Sequence, residues 1–349
     1  MAAGTLSQDI GALLAGQGGS PRTVHLHPCA TGGNNRVYIV TADRRRVVAK
    51  CYYFSPADGR DRLTAEWAFL EYATRLGLCV PRPIARDHVA RIALYEYVEG
   101  DRLVADAVGR REVAAAAEFF TVLNDRRHVG LAADLPPASE ACLSMSEHVT
   151  MLDRRLQRLS EVRPQSETDA EALELVVRMQ QLWSDLRGRL AGQARALLGD
   201  ADAPIPQADR CVSPSDFGFH NVLVQRGGRM CFIDFEYAGW DDPAKMAADF
   251  FCQPAVPVDP GHFEWFLDAT IGRYARDVDA LKTRARLLWP LYRIKWCCIM
   301  LNDFVPDAGR RRRFADPEAD EDTRKRAQLE KARVAFVAVE EEVRRSWRT

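Results

Sequence analysis

The 349-residue chain has no surplus of charge: 48 Lys and Arg stand against 49 Asp and Glu, a formal net charge of -1. Without a basic field, the term that dominates nonspecific nucleic-acid binding is missing, so nucleic acid is not expected as a partner. No stretch reaches the roughly 18 apolar residues needed to span a bilayer. The N-terminus MAAGTLSQDIGALLAG has neither a basic leader nor a long apolar core, so no membrane partner is expected and the cytoplasm is the expected compartment. Nine scattered cysteines, an odd number, include no C-x-x-C pair and no accompanying histidine spacing, and read as reduced thiols. With 47% hydrophobic and 28% charged residues, disorder and fibrous repeats are excluded as well.

What is present is enough material for two lobes, because this length exceeds what one hydrophobic core organises. Two β-rich runs, Arg36 to Thr41 and Val47 to Tyr52, flank the polar turn Ala42 to Arg46 and read as a hairpin. Phe69, Leu70, Ala73 and Leu76 recur at helical spacing before Gly77, Pro81 and Pro83 end the run. Arg91 to Val98 then reads as a buried strand closed by Glu99 and Gly100. Beyond it the pattern changes to long amphipathic helices at 111–123, 144–159 and 168–198, the second opened by the capping-box spacing Ser144-x-x-Glu147. Val222 to Gln225 and Met230 to Ile233, around the turn Arg226-Gly-Gly-Arg229, read as a second hairpin. The division falls near residue 98, giving a small β-rich lobe, 1–98, and a larger mainly helical one, 99–349.

The polar residues that flank the second hairpin carry the chemistry. Asp216 stands five residues before Asn221, and the hairpin delivers Ile233-Asp234-Phe235-Glu236. Phosphoryl transfer asks for such a set: a carboxylate to orient and deprotonate the acceptor hydroxyl, and an Asn and an Asp to hold Mg²⁺ on the phosphates. The D-x-x-x-x-N spacing is also that of the protein kinase catalytic loop.

Asp216-Phe-Gly-Phe-His-Asn221, followed by Ile233-Asp-Phe-Glu-Tyr-Ala-Gly-Trp-Asp-Asp-Pro243, resembles the catalytic and metal loops of the aminoglycoside phosphotransferase and choline kinase-like family. The resemblance implies an α+β, bilobal protein kinase-like fold and an ATP- or GTP-dependent small-molecule kinase that phosphorylates a hydroxyl with Mg²⁺. The acceptor would be an aminoglycoside, a sugar or an amino alcohol. It also assigns roles. Asp216 would be the catalytic base, and Asn221 and Asp234 the metal ligands. Gly32, Gly33, Asn34 and Asn35 would form the phosphate-facing loop, Lys50 would bind the phosphates with Glu66 as its helix partner, and Glu96, Tyr97 and Val98 would form the hinge beside the base. The smaller lobe would then be the nucleotide-binding one, and the larger would carry the catalytic loop, the metal site and the helical acceptor-binding region.

Two positions depart from the family pattern. Pro214 stands where the family usually has a His two residues before the catalytic Asp, and Met246 where it has an Asp after Asp242-Pro243, with Asp249 one turn further along as a substitute. They motivate the alternative of a nucleotide-binding pseudokinase without turnover. A protein kinase is disfavoured because no Ala-Pro-Glu activation segment follows Asp234. Lys50 and Glu66 taken alone could be an ordinary ion pair, and His220 a residue packed under the loop. Glu236 could approach the metal or the acceptor, or bond the loop. Arg310 to Arg313 read as a solvated segment, with a clamp for an anionic acceptor as the minority reading.

Overall fold

The structure is a computed structural model that describes residues 3–17, 21–29, 34–55, 59–200, 202–316 and 320–346. Gly32 and Gly33, expected in the phosphate-facing loop, lie outside the described residues. The first β-rich run folds as expected, with a tighter turn: strands β1 (Val24–Cys29), β2 (Arg36–Ala42) and β3 (Arg45–Cys51) pair antiparallel, and Ala42 faces Arg45 across the two residues Asp43 and Arg44. Asp43 takes a positive φ of 51°, which Asp tolerates better than most side chains.

Helix α1 (Ala3–Ala15), which the sequence reading did not anticipate, precedes β1. It places Leu6, Ile10 and Leu14 at four-residue intervals against Val47, Ala49 and Cys51 of β3 and the strand residues Val40, Ile92 and Leu94. The period of two along β3 therefore sends Val47, Ala49 and Cys51 to the face covered by α1 and Lys50 to the other. Helix α2 (Arg62–Arg75) is capped by Asp61, whose carboxylate accepts from Thr64 N at 3.0 Å. Strands β4 (Pro83–Asp87) and β5 (Ile92–Glu96) complete a five-stranded antiparallel sheet in the order β1-β2-β3-β5-β4, and the short β6 (Asp101–Arg102) follows.

Helices α3 (Arg110–Leu123), α4 (Met145–Ser160) and α5 (Glu167–Leu198) match the three amphipathic segments, and the capping box at Ser144 and Glu147 forms as its spacing predicts. Next come β7 (Cys211–Ser213), the hairpin β8 (Val222–Val224) and β9 (Met230–Phe232), and β10 (Gly239–Asp241). Gly227 and Gly228, at φ 99° and 83°, make the hairpin turn. Helices α6 (Pro243–Cys252), α7 (Phe263–Ala269), α8 (Ile271–Tyr274), α9 (Val278–Met300), α10 (Pro306–Ala315) and α11 (Glu321–Ser346) finish the chain. Among the described residues no helix is long and apolar enough to cross a membrane.

The chain divides into two compact units that do not follow chain order. One comprises Met1–Leu103, Asn221–Ala238 and Arg310–Ala319; the other comprises Val104–His220, Gly239–Gly309 and Asp320–Thr349. The β8–β9 hairpin thus belongs with the sheet-containing unit, where β8 pairs with β6. The second unit is mainly helical, with β7 and β10 paired antiparallel. The mixed fold, sheet first and helices after, is the one the sequence implies.

Candidate active site

Within the sheet-containing unit, Lys50 is the centre of a buried cluster of charges. It is 6% exposed, and its Nζ donates to Glu66 Oε2 at 2.6 Å and Asp234 Oδ1 at 2.5 Å, with Glu236 Oε2 4.0 Å away. Burial alone would strip its proton, but Asp234, Glu66 and Glu236 together outweigh burial and hold the ammonium well above its ordinary range. Burial also raises the Glu66 carboxyl, with the Lys50 charge pulling it back. Glu66 is fixed from two further directions, accepting from Tyr52 OH at 2.6 Å and Phe235 N at 3.1 Å, while Tyr52 OH meets Tyr95 OH at 2.6 Å. The bland reading of Lys50 and Glu66 as an ordinary surface pair does not hold, since both are buried.

The hairpin leads into the other two carboxylates of this cluster, Asp234 and Glu236. Val222 pairs with Phe232, and Ile233 N donates to Asn221 O at 2.9 Å, so the strand partners put Asn221 level with the residue before Asp234. Asp234 takes a positive φ of 68°, a strained conformation of the kind that surrounding structure must enforce. Its side chain is 42% exposed while Lys50 and Glu66 are nearly closed off. One ammonium against three carboxylates leaves the cluster anionic, which favours a cation at the open carboxylate. Among the described residues no three His, Cys, Asp or Glu side chains are arranged to hold a metal ion. The donors on offer are the Asn221 amide and the Asp234 carboxylate, hard oxygens of the kind Mg²⁺ takes one or two at a time alongside water and phosphate. The residues fit that ion.

Asn34 and Asn35, expected to face phosphate, direct their amide nitrogens at Glu236: Asn34 Nδ2 lies 3.2 Å from Glu236 Oε1, and Asn35 Nδ2 donates to Oε2. Asn34 also donates to Tyr237 OH at 2.9 Å, and Asn35 Oδ1 accepts from Tyr53 N at 3.1 Å. Glu236 thus bonds the loop that carries Asn34 and Asn35. Arg60, which the sequence reading passed over, donates to the carbonyls of Glu236 and Ala238 at 3.0 and 2.9 Å and so clamps the residues after Asp234. At the expected hinge, Glu96 ends β5 and pairs its carboxylate with Arg82 at 2.9 Å, Tyr97 lies under the Arg46 guanidinium at 4.2 Å, and Val98 is partly buried.

Asp216 belongs to the helical unit, and its loop is built on aromatic packing. Phe217 lies against Phe119 and Phe250 at ring distances of 5.7 and 5.2 Å, and Phe219 against Phe250 at 5.4 Å. These alternate residues pin the part of the loop that follows Asp216. Upstream, buried Asn124 receives the Val212 N–H at 2.7 Å and donates to the Val212 carbonyl at 3.1 Å, standing in for a missing strand partner of β7. Ser213 Oγ accepts from Ser215 N at 3.0 Å, and Ser215 holds a positive φ of 66°. The Asp216 side chain is 34% exposed, with His220 Nε2 3.4 Å from its Oδ1. A Cβ on Gly218 would come within 2.8 Å of His220 Nδ1, so glycine there lets the imidazole approach. With Pro214 in place of the family's His, these contacts hold the loop.

The same unit contains a buried ionic network. Asp242 caps α6 through Ala244 N at 2.7 Å and receives His148 Nε2 at 3.0 Å and Arg284 Nε at 2.5 Å. Against burial, Arg284 and His148 bring the Asp242 carboxyl down to about 2, while burial lowers His148. Met246 is fully buried. Asp249, the substitute weighed for it, is committed elsewhere: it binds Lys295 at 2.7 Å, Lys245 at 3.4 Å and Trp296 Nε1 at 2.9 Å. No sequence spacing announces Asn124, Arg60 or His148, because each acts on a backbone or carboxylate far away along the chain.

Residues 25–276 match the model of the phosphotransferase enzyme family, APH. No curated protein matches the sequence significantly. Among solved structures, a choline/ethanolamine kinase family protein from Mesorhizobium loti is similar at 19% identity and a TM-score of 0.58, covering 96% of this chain and 95% of that one. A choline kinase from Streptococcus pneumoniae is similar at 16% identity and 0.56, covering 96% and 99%. A spectinomycin phosphotransferase solved with ADP and spectinomycin is similar at 12% identity and 0.56, covering 94% and 98%.

Proposed function

The chain belongs to the phosphotransferase enzyme family, and from that premise we propose that it transfers the γ-phosphoryl group of ATP or GTP to a hydroxyl of a small molecule, an aminoglycoside, a sugar or an amino alcohol. The observation that carries this reading is the buried Lys50 shared between Glu66 and the partly exposed Asp234. Solved relatives in fold support it: one is described as a choline/ethanolamine kinase family protein, one as a choline kinase, and a third, a spectinomycin phosphotransferase, was crystallised with ADP and spectinomycin.

In this reading Lys50, kept protonated by its carboxylate neighbours, lies along the nucleotide phosphates, and Glu66 fixes its ammonium in place. Asn221 and Asp234 would hold Mg²⁺, which when bound would neutralise charge on the phosphate oxygens. Asp216 accepts the proton of the acceptor hydroxyl, and His220 steadies its carboxylate. The pseudokinase alternative draws on Pro214 and Met246, and it predicts nucleotide binding without turnover.

The test is ADP or GDP release with Mg²⁺ across pools of aminoglycosides, amino alcohols, monosaccharides and sugar phosphates. One pool should stimulate release, and Asp216→Ala should lower that rate by about 10²- to 10⁴-fold while nucleotide binding is retained. Full activity in Asp216→Ala would falsify the assignment. Binding without release on any pool would favour the non-catalytic reading.

A further inference from the structure

The sheet-containing unit also brings together two cysteines that the proposed chemistry does not use. Cys79 lies in the turn that follows α2, and Cys231 is the middle residue of β9, three residues before Asp234. Phe232 N donates to the Cys79 carbonyl at 3.0 Å, which lays the turn alongside β9. That bond brings the two cysteines side by side, and Cys79 Sγ is 3.5 Å from Gln225 Oε1. Cys79 is partly open to solvent, whereas Cys231 is buried. The two therefore differ in access and share a contact, the arrangement of an attacking thiol beside a resolving one.

The electrostatics agree with this division. The hydrogen bond from Cys231 brings the Cys79 thiol down to about 7 against burial, with Arg229 favouring the thiolate and Glu96 opposing it. Burial pushes Cys51 up to about 11 and Cys142 and Cys297 up to about 12, and the hydrogen bond to Cys79, with burial, raises Cys231 further, so none of these thiols is the first nucleophile at neutral pH and Cys231 enters only after Cys79 has reacted.

We propose that Cys79 and Cys231 form a dithiol site that small disulfides of the glutathione type oxidise reversibly. The Cys79 thiolate attacks one sulfur of the small disulfide; its S–S bond breaks and one thiolate leaves, to be protonated by solvent. Cys231, losing its proton to solvent, then attacks the Cys79 sulfur and expels the second small thiolate. Two protein thiols are oxidised to one disulfide, and one small disulfide is reduced to two thiols. The new bond staples the turn behind α2, the helix of Glu66, to the strand that leads into Asp234.

The full chain is incubated with oxidised glutathione, its remaining thiols are blocked, and it is digested without reductant for mass mapping. The expected product is one peptide pair joined through Cys79 and Cys231, lighter by two hydrogens than the reduced pair and reverted by dithiothreitol. Cys231→Ala should instead keep glutathione on Cys79. The proposal is overturned if, in the unaltered chain, glutathione stays on Cys79, Cys79 joins another cysteine, or Cys79 stays reduced. Mapping of the unaltered chain decides the matter even where Cys231→Ala fails to fold.

Discussion

Asn124 shows how much of a site can hang on one side chain that never meets the chemistry. Its amide reproduces both hydrogen bonds of a strand partner for Val212 and donates to Phe120 O at 3.0 Å, all in a buried setting. Asn124→Ala removes these partners and leaves the Val212 N–H and C=O without them. The expected loss is about 1–3 kcal/mol for a buried polar group left unsatisfied, read as a lower midpoint in urea unfolding. An unchanged midpoint would mean that water or a relaxed loop replaces the amide. The same logic explains why a proline is tolerated at 214: Ser213, Phe217, Phe219 and Asn124 share the support of the Asp216 loop.

At the scale of elements, the legible parts of the sequence were those whose pattern is local. The β-rich run of β3, the capping box of α4 and the Gly-Gly turn of the second hairpin each depend on neighbours within a few residues, and each folded as read. Helix α1 escaped because the N-terminus was weighed as an export signal rather than as a helix, although Leu6, Ile10 and Leu14 carry a clear four-residue period. The Asp216, Asn221 and Asp234 set is proposed from its spacing alone, whereas Arg60 and Glu236 gain meaning only when distant segments meet. The α1 contact can be weighed directly. Ile10 is fully buried against the sheet, so Ile10→Ala should cost about 2–5 kcal/mol by lost burial and the cavity left behind. Thermal unfolding of the variant measures it, and a loss under 1 kcal/mol would show that α1 is a loose cover rather than part of the core.

Over the whole molecule, stability carries a pH dependence set by Asp242. Its carboxyl is held at about 2 by Arg284 and His148 against burial. A folded-state value below the unfolded one stabilises the protein above the ordinary carboxylate range, and this contribution is lost as pH falls towards 2. The stability gap between the natural chain and Asp242→Asn should therefore narrow by about 2 kcal/mol between pH 5 and pH 2, read from denaturant midpoints. A constant gap would mean that Asp242 titrates normally. The interleaved composition of the two units has another consequence, for synthesis. The unit that begins at the N-terminus is completed by Asn221–Ala238 and Arg310–Ala319, so Lys50 waits on the ribosome for Asp234, 184 residues further along. Until that hairpin emerges, β6 lacks its partner β8 and Lys50 lacks a carboxylate that keeps it charged. The nascent unit is an incomplete core with β6 unpaired, a species that benefits from chaperone protection.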